Sequence, residues 1–231
     1  MIDLTILRFV PEIEHMISII GGTGLEGRGL AMRLVIAGNQ IILGSRSKNR
    51  AETIADEIRR LCPGSKIEGA SNLEAARKGT VVFLAVPFVN QMDVLQELKM
   101  YLTEKLVVTV VVPLKFQGGR AIYVDVPEGS AAAQAQQILC TSKVVAAFQN
   151  LSAHDLINHD SKLEGDVVIC SDDSRAKRLI MEMVGTIPSL RGVDGGGLEN
   201  AKYVEQLTVL LLNINRNYKA NVSIKLIGIQ A

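Results

Sequence analysis

The chain has 231 residues, enough for one medium-sized domain or for one domain with a small appendage. Hydrophobic residues make up 48% of it and charged residues 21%, so a full core can form and a long disordered tail is excluded. The net charge of +1 excludes a general attraction to nucleic acid or to an anionic membrane, and any anion site must be local. Trp is absent and aromatic residues are only 4%, which argues against base-stacking platforms.

The cysteines and the apolar runs indicate the compartment. Cys62, Cys140 and Cys170 are far apart and lack the spacing of a zinc site or a disulfide framework, so we predict a cytoplasmic protein without a metal. The longest apolar runs, such as residues 106–114, fall well short of the roughly 20 residues that a membrane span needs. Residues 1–15 have no cationic signal-peptide start and are interpreted as an N-terminal extension. We therefore expect partners that are neither membranes nor nucleic acids.

Short apolar runs alternate with helical patterns along most of the chain. Strands are predicted at 16–20, 40–43, 66–70, 81–86, 106–112, 143–148 and 166–170, and helices at 48–61, 130–139, 174–184 and 198–216. This order predicts an α/β fold with a Rossmann-type, doubly wound, mostly parallel sheet and a small C-terminal helical or mixed domain. We place an extension at 1–15, a dinucleotide-binding domain at 16–153, and a domain that completes the site and the dimer interface at 154–231.

The last predicted helix is apolar on more than one face. Leu207, Leu210 and Ile214 form one stripe, whereas Val209 and Leu212 lie off it. A helix that is apolar nearly all round is normally buried, and the small C-terminal domain has little core with which to bury it. We therefore predict a homodimer through this helix, with packing on the sheet of the same chain as the alternative.

A glycine-rich segment connects the first strand to the first helix. It fits the G-x-G-x-x-G pattern and consists of Gly22, Thr23, Gly24, Leu25, Glu26 and Gly27. The strand before it and the helix after it are the context that a dinucleotide-binding loop requires. Gly22 is expected to make the tight turn, Gly24 to let the backbone approach a pyrophosphate, and Gly27 to allow close packing of helix on strand. The helix N-terminus would then bind the anion.

The end of the second strand indicates which dinucleotide binds. An NAD site usually has an acidic residue there, about 20 residues after the glycine motif, to bind the ribose 2′-hydroxyl. Ser45 occupies that position in this chain, 23 residues after Gly22. The segment from Gly44 to Arg50 has no acidic residue and contains Arg46 and Arg50, which are four apart and can share one helix face. Guanidinium groups bind a 2′-phosphate through charge-assisted hydrogen bonds, so the sequence predicts NADP(H).

Several segments together resemble the NADP-dependent reductases of the deazaflavin coenzyme F420, from Met16 to the C-terminus. They are residues 19–24, Gly44-Ser45-Arg46, Ala85-Val86-Pro87, Val111-Val112-Pro113 and Ser223-Ile224-Lys225. The resemblance implies an oxidoreductase that passes a hydride reversibly between NADP(H) and coenzyme F420. It also implies a dinucleotide-binding domain with a small C-terminal domain, in a homo-oligomer.

The same resemblance implies roles for individual residues. The pyrophosphate would lie on Thr23, Gly24, Leu25 and Glu26; the 2′-phosphate on Ser45, Arg46 and Arg50; the rest of NADP near Phe88, Ala153 and Val222; and the deazaflavin along Gln149, Leu151 and Ser152. Gln149 stands where a His is common, Ser152 where some members have Pro, and Glu26 brings a negative charge into the phosphate loop. No catalytic acid is implied, because the cofactors carry the reactivity.

Two other functions fit parts of the sequence. One is an NADP-dependent imine or hydroxyacid reductase on a related fold. The glycine-rich helix of β-hydroxyacid dehydrogenases would place its lysine at Ala201, whereas this chain has Lys202, one residue or about 100° of helix away. A non-catalytic NADP(H)-sensing protein is the other. The Tyr101 and Lys105 pair of short-chain dehydrogenases is expected at the wrong edge of the sheet. His154 and His159 are interpreted as surface residues.

Overall fold

The computed structural model of the chain describes residues 15–160 and 162–229. In chain order the strands are β1 (Met16–Ile20), β2 (Gln40–Ser45), β3 (Ile67–Ser71), β4 (Val81–Leu84), β5 (Leu106–Thr109), β6 (Leu114–Gln117), β7 (Arg120–Tyr123), β8 (Lys143–Ala146), β9 (Gly165–Ile169) and β10 (Leu190–Asp194). The α-helices are α1 (Leu25–Ile36), α2 (Lys48–Leu61), α3 (Asn72–Lys78), α4 (Phe88–Leu102), α5 (Ala131–Ile138), α6 (Ala153–Ile157), α7 (Ser174–Gly185) and α8 (Ala201–Tyr218).

Six parallel strands form the main sheet, in the order β3-β2-β1-β4-β5-β8. The strand order reverses between β1 and β4, and such a reversal opens a crevice at the carboxyl edge of the sheet. The inner strands are rich in Val, Ile and Leu, as expected where both faces of a sheet are covered, whereas the edge strand β3 also contains an exposed Glu. The predicted Rossmann-type α/β fold is confirmed.

Helices pack on both faces of the sheet. Apolar side chains of α1, α2 and α7 bury one face, for example Leu34, Ile58 and Ile180. Those of α3, α4, α5 and α8 bury the other, for example Leu98 and Val204. The amphipathic helix predicted at 48–61 has those bounds, whereas the strands predicted at 81–86 and 106–112 end earlier, at Leu84 and Thr109.

A second, two-stranded parallel sheet consists of β9 and β10. An antiparallel bridge between Ala146 and Cys170 joins it to the end of β8. The side chains of β9 and α7 share one buried cluster with β1 and α1, so the core is continuous from one sheet to the other. The domain boundaries given above remain predictions.

A β-hairpin that the periodicity did not indicate lies between β5 and α5. It pairs β6 with β7 through Gly118 and Gly119, whose φ values are 57° and 74°. Two positive φ values in a two-residue turn match the twist of an antiparallel pair. Asn213 of α8 holds the hairpin, because its side chain accepts from the N–H of Ala121 and donates to the C=O of the same residue.

The last helix, α8, is neither fully buried nor fully exposed in a single chain. Val204, Val209 and Leu211 are buried, whereas Leu210 is 55% exposed and Tyr203 59% exposed. One face therefore packs on the same chain and another remains apolar at the surface. The buried carboxylate of Glu205 ties α8 to α5, because it accepts from the N–H groups of Ala131 and Ala132.

Candidate functional site

Two adjoining cavities lie at the carboxyl edge of the main sheet, where the strand order reverses. Their volumes are about 400 Å³ and about 460 Å³. Gly24, Ala85, Val86 and Pro87 line both cavities, so the two form one continuous cleft. We call the cavity that contains Arg46 the basic cavity and the one that contains Leu151 the apolar cavity.

The glycine loop forms the floor between the cavities. Its positive φ of 74° falls at Gly21, one residue before the glycine to which the sequence assigned the tight turn. A Cβ at Gly27 would lie 2.6 Å from the Cα of Gly22, so close packing requires glycine there. A Cβ at Gly24 would make only an ordinary van der Waals contact, 3.5 Å from the backbone oxygen of Gly21, and the residue is exposed. Packing within the protein therefore does not require glycine at position 24, but the approach of a ligand to its backbone would.

Two of the helices that begin at this cleft, α1 and α4, lack side-chain caps. Gly24 precedes α1 and Pro87 precedes α4, and neither helix has a capping hydrogen bond from a side chain. By contrast, Ser47 caps α2 and Ser71 caps α3. The first N–H groups of α1 therefore remain available for an anion, which the helix dipole also favours.

The basic cavity lies beside the end of β2 and the start of α2. Arg46 and Arg50 line it, and neither forms an ion pair with any residue of 15–160 or 162–229. Lys48 is engaged elsewhere, 3.5 Å from Glu74. The Ser45 hydroxyl is 3.3 Å from that of Thr23, so it connects the second strand to the glycine loop. This cavity is suited to a phosphate monoester held by two guanidinium groups and a hydroxyl.

Sequence reasoning missed other polar side chains of the basic cavity. Asn72 begins α3, and its Oδ1 accepts from the N–H of Gly21 at 3.2 Å, which fixes the glycine turn. Asp93 and Glu97 of α4 face the same cavity. They are four residues apart on a helix that begins at the carboxyl edge of the sheet, so they share one face of α4. This spacing was the signal by which the sequence could have indicated them.

The apolar cavity is bounded by the loop after β8, the end of β5, α8 and the C-terminal tail. Its apolar walls include Val110, Leu151, Leu212 and Val222. The loop starts at Phe148, a buried non-glycine residue with a φ of 71° that packs against Phe83 with 5.8 Å between ring centroids. Such a conformation costs about 1–3 kcal/mol and persists only where surrounding packing holds it. Phe148 thus directs the next five residues along the cavity wall.

Gln149, which lines the apolar cavity, has a buried side-chain oxygen without a hydrogen-bond partner. The side chain is 4% exposed, and its Nε2 donates to the C=O of Thr109 at 3.0 Å, while Oε1 has no partner. The amide orientation follows from this contact, because the reverse orientation would set two oxygen acceptors against each other. A buried acceptor without a partner costs about 1–3 kcal/mol, which a ligand N–H would recover.

Glu26 also lines the apolar cavity, in the first turn of α1. The residue as a whole is half-buried, but its Oε1 is fully enclosed and has no hydrogen-bond partner. Burial raises the pKa of Glu26 to about 8, well above its usual 4.5. The helix dipole opposes this by only about 0.3–1 kcal/mol, less than one pKa unit, so removal from water dominates. The acid therefore holds its proton to higher pH than an ordinary carboxyl does, and in the protonated form it does not repel a pyrophosphate.

The wall near Leu151 is fixed to the phosphate loop through α1. Arg33 of α1 is 7% exposed, and its guanidinium donates to three backbone carbonyls at the end of α6, those of Asp155, Leu156 and Asn158. A Cβ at Gly29 would lie 2.6 Å from the Cβ of Leu156, so the two helices touch. The two walls of the apolar cavity therefore belong to one packed unit.

The C-terminal tail forms one side of the apolar cavity, through Asn221 and Val222. Asn221 donates to Asp155 of α6 at 2.8 Å, and the N–H of Val222 donates to Asn215 of α8 at 2.7 Å. Farther along, Asp166 binds Arg191 through two hydrogen bonds of 2.7 and 2.8 Å and accepts from the N–H of Leu226 at 2.6 Å. Arg191 lowers the pKa of Asp166. The tail is therefore held at both ends of the segment that lines the cavity.

The predicted site residues fall in the cleft in two groups. Residues of the basic cavity are Thr23, Gly24, Ser45, Arg46 and Arg50. Residues of the apolar cavity are Gly24, Leu25, Glu26, Phe88, Gln149, Leu151, Ser152, Ala153 and Val222. Gly22 and Gly27 are buried beneath the loop and line neither cavity. Ser152 uses its hydroxyl to cap α6 by accepting from the N–H of Asp155.

Comparison with known sequences places this cleft in a family. The family model described as NADP oxidoreductase, coenzyme F420-dependent, matches residues 16–113. An F420-dependent NADP reductase of Methanocaldococcus jannaschii is 37% identical over 212 residues, covering 88% of this chain and 94% of the relative. Another protein of that name, from Methanothermobacter marburgensis, is 37% identical over 217 residues, covering 91% of this chain and 97% of the relative. The chain belongs to the F420-dependent NADP reductase family. The family predicted from the sequence is therefore confirmed.

A solved structure from Arthrobacter sp. FB24 has the same fold as this F420-dependent NADP reductase family member. Its TM-score is 0.78 at 21% identity, and the alignment covers 92% of this chain and 99% of that one. Because the identity is low, this likeness supports the fold alone.

Two of the three rival motifs lie away from the cleft of this F420-dependent NADP reductase family member. The Lys105 ammonium donates to the carbonyls of Ala76 and Arg77, before β5 and thus at the opposite edge of the sheet. Lys202 lies over the Tyr203 ring, 4.8 Å from its centroid, and lines neither cavity. His154 lies on α6 and lines the apolar cavity, although its side chain is exposed. Among residues 15–160 and 162–229, no group of three His, Cys, Asp or Glu side chains could hold a metal ion, and none of the helices is long and apolar enough to cross a bilayer.

Proposed function

We propose that the chain catalyses the reversible transfer of a hydride between NADP(H) and coenzyme F420. The observation that carries the proposal is the continuous cleft, whose two cavities differ in chemistry and meet at Gly24. One cavity contains two guanidinium groups, which a 2′-phosphorylated nucleotide requires, and the other is lined largely by apolar side chains, which suits ring systems. The curated relatives at 37% identity are named F420-dependent NADP reductase.

The residues fit NADP(H) in the following arrangement. The uncapped N-terminus of α1, with the exposed backbone of Gly24, would hold the diphosphate. Arg46, Arg50 and Ser45 would hold the 2′-phosphate, and the two arginines support this role because neither is ion-paired within the described residues. The nicotinamide would extend past Gly24 into the apolar cavity, toward Ala153 and Val222.

The residues of the apolar cavity also fit a deazaflavin. Leu151, Leu212 and Val222 offer apolar contact to a planar ring, and Gln149 offers an oxygen acceptor to a ring N–H. When both substrates are bound, the nicotinamide and the deazaflavin supply the redox chemistry, so the protein has to orient the rings and exclude water. Phe148 and Arg33 support this by fixing the loop and α6.

The proposal is tested by mixing the protein with NADPH and oxidised coenzyme F420 and following the loss of deazaflavin absorbance. Parallel reactions with NADH, FMN, and a cyclic imine or a hydroxyacid provide the controls. We expect turnover with NADPH and the deazaflavin only. Turnover of the imine or the hydroxyacid alone would instead support the related reductases, and NADPH binding without any turnover would support a sensor.

We further propose a cytoplasmic homodimer that associates through α8. The exposed Leu210 and Tyr203 on this helix leave an apolar surface that a second copy would cover. Sedimentation equilibrium of the wild type and of Leu210→Glu tests this, since the variant should be monomeric while the wild type is dimeric. The exposed free thiol of Cys140 is consistent with a reducing compartment.

A further inference from the structure

We propose that Glu26 is a proton-exchanging group that favours the oxidised over the reduced nicotinamide when it is ionised. This inference rests on the proposed binding of NADP(H) in the cleft. It would make the relative affinity for the two redox forms of the cofactor depend on pH, through one side chain of the phosphate loop.

The argument begins with the position of Glu26. It is the second residue of α1, directly beyond Gly24, and its side chain lines the apolar cavity together with Leu151, Ala153 and Val222. The basic cavity does not include it. Glu26 therefore faces the part of the cleft assigned to the nicotinamide rather than the part assigned to the 2′-phosphate.

The second step concerns the enclosed oxygen. Oε1 of Glu26 is buried and has no hydrogen-bond partner among the described residues. An ionised carboxylate in that environment is poorly solvated, which is why its pKa is raised to about 8 by burial alone. A cation placed in the same cavity would compensate for the lost water, whereas a neutral group would not.

The other ionisable groups around the cavity do not replace Glu26 in this role. His154 of α6 lines the cavity as well, but its side chain is exposed to water. Asp155 of the same helix accepts from Asn221 and interacts with Arg33. Arg28, also on α1, is paired with Glu57 of α2 at 2.9 Å. Among the described residues, Glu26 is thus the only Asp or Glu that lines the apolar cavity.

The charge of the nicotinamide ring supplies the discrimination. The ring is a cation in NADP⁺ and neutral in NADPH, while the phosphates are the same in both. An opposite charge within about 4–6 Å lowers the pKa of a carboxyl by roughly 1–3 units. Binding of NADP⁺ should therefore release the proton of Glu26, and binding of NADPH should leave it in place. By linkage, the affinity for NADP⁺ relative to NADPH rises with pH.

The test is to measure the dissociation constants of NADP⁺ and NADPH from pH 6 to pH 9. We expect the ratio of the NADPH constant to the NADP⁺ constant to rise about 10-fold or more across this range in the wild type. In Glu26→Gln, which keeps the shape but cannot ionise, the ratio should be independent of pH. Titration of the 2′-phosphate, and repulsion between Glu26 and the diphosphate, affect both cofactors alike and cancel in the ratio.

Two further measurements keep the result interpretable. His154→Asn should retain the pH-dependent ratio, since the imidazole is not its origin. Calorimetric titration of the wild type at pH 7.5, in buffers of different ionisation enthalpy, should show proton release with NADP⁺ that exceeds any seen with NADPH. This second measurement needs no variant and therefore does not depend on the folding of one.

The outcomes separate this inference from the proposed function. A ratio that is independent of pH in the wild type, or equally dependent in Glu26→Gln, overturns the role of Glu26. Equal weakening of both cofactors at high pH also overturns it, because Glu26 would then face the diphosphate. Failure of the deazaflavin to react would refute the proposed function without altering these binding measurements, whereas absence of NADP(H) binding would refute both.

Discussion

Replacement of Asp166 by Asn should loosen the C-terminal tail on the second sheet, leaving the hydrogen bond from the N–H of residue 166 to the C=O of Ile224. The Asp166 carboxylate is 1% exposed and accepts from both Nε and Nη2 of Arg191 and from the N–H of Leu226. Arg191 in turn donates to the carbonyls of Leu226 and Ile229. An amide at position 166 keeps the shape but removes the negative charge and places a donor against the guanidinium.

The expected loss follows from the burial of the two partners. Removing one partner of a buried ion pair costs about 3–5 kcal/mol, because it leaves the other charge without compensation. Arg191 has 31% of its side chain exposed, so water partly solvates it and we expect a smaller loss, about 2–3 kcal/mol. For a protein of this size the melting temperature should fall by roughly 5–10 °C.

The assay combines thermal unfolding with digestion by carboxypeptidase, which reports release of the tail. Asp166→Asn should melt earlier, lose tail residues faster, and bind ligands of the apolar cavity more weakly because Val222 is displaced. Arg191→Gln is the matched variant, and the double variant should cost less than the sum of the two single changes. A wild-type melting temperature and an equally protected tail in Asp166→Asn would refute this reasoning.

Three other predictions follow from the cleft and from α8. Arg46→Gln should weaken NADP⁺ binding about 10- to 100-fold and leave NAD⁺ binding unchanged, because only the 2′-phosphate contact is lost; equilibrium titration with both cofactors checks this. Gly24→Ala should keep the melting temperature but weaken NADP⁺ binding. Gly27→Ala should instead lower the free energy of unfolding by about 1–3 kcal/mol, because its Cβ would lie 2.6 Å from the Cα of Gly22. Denaturant unfolding and NADP⁺ titration of both variants separate the two effects. Burial raises the pKa of Glu205 to about 7 from 4.5, so the folded protein holds this proton more tightly than the unfolded chain does. Stability should therefore fall by an amount on the order of 3 kcal/mol as pH rises from 4.5 to 7, and this part of the slope should be absent in Glu205→Gln when unfolding is followed at both pH values.

The sequence was sufficient for the features that depend on local pattern. Runs of Val, Ile and Leu separated by amphipathic helices predict the parallel sheet, and the helix at 48–61 follows from its spacing of apolar residues. The phosphate loop and the basic cavity were also predictable. Both lie at the carboxyl ends of β1 and β2, and adjacent parallel strands bring such ends together.

Other features depend on contacts between residues far apart in the chain, and no local pattern encodes them. Asn72 fixes Gly21 across 51 residues, and Asp166 holds Leu226 across 60. The sequence showed that Glu26 brings charge into the loop but not that its oxygen is enclosed, since its enclosure is a property of the folded cavity. The hairpin of β6 and β7 was missed because its strands are only four residues long and largely exposed.

The contact between α1 and α6 has a consequence for the speed of the reaction. Hydride transfer needs the two reacting carbons about 3–3.5 Å apart, and a shift of 1 Å can slow it 100-fold. In the proposed arrangement of the two substrates, Arg33 and Gly29 connect the helix beneath one reactant to the wall beside the other, so helix packing would set that separation in advance. A larger side chain at position 29 should therefore push α6 away from α1 and lengthen the transfer distance. Both ligands should still bind, but hydride transfer should be slow.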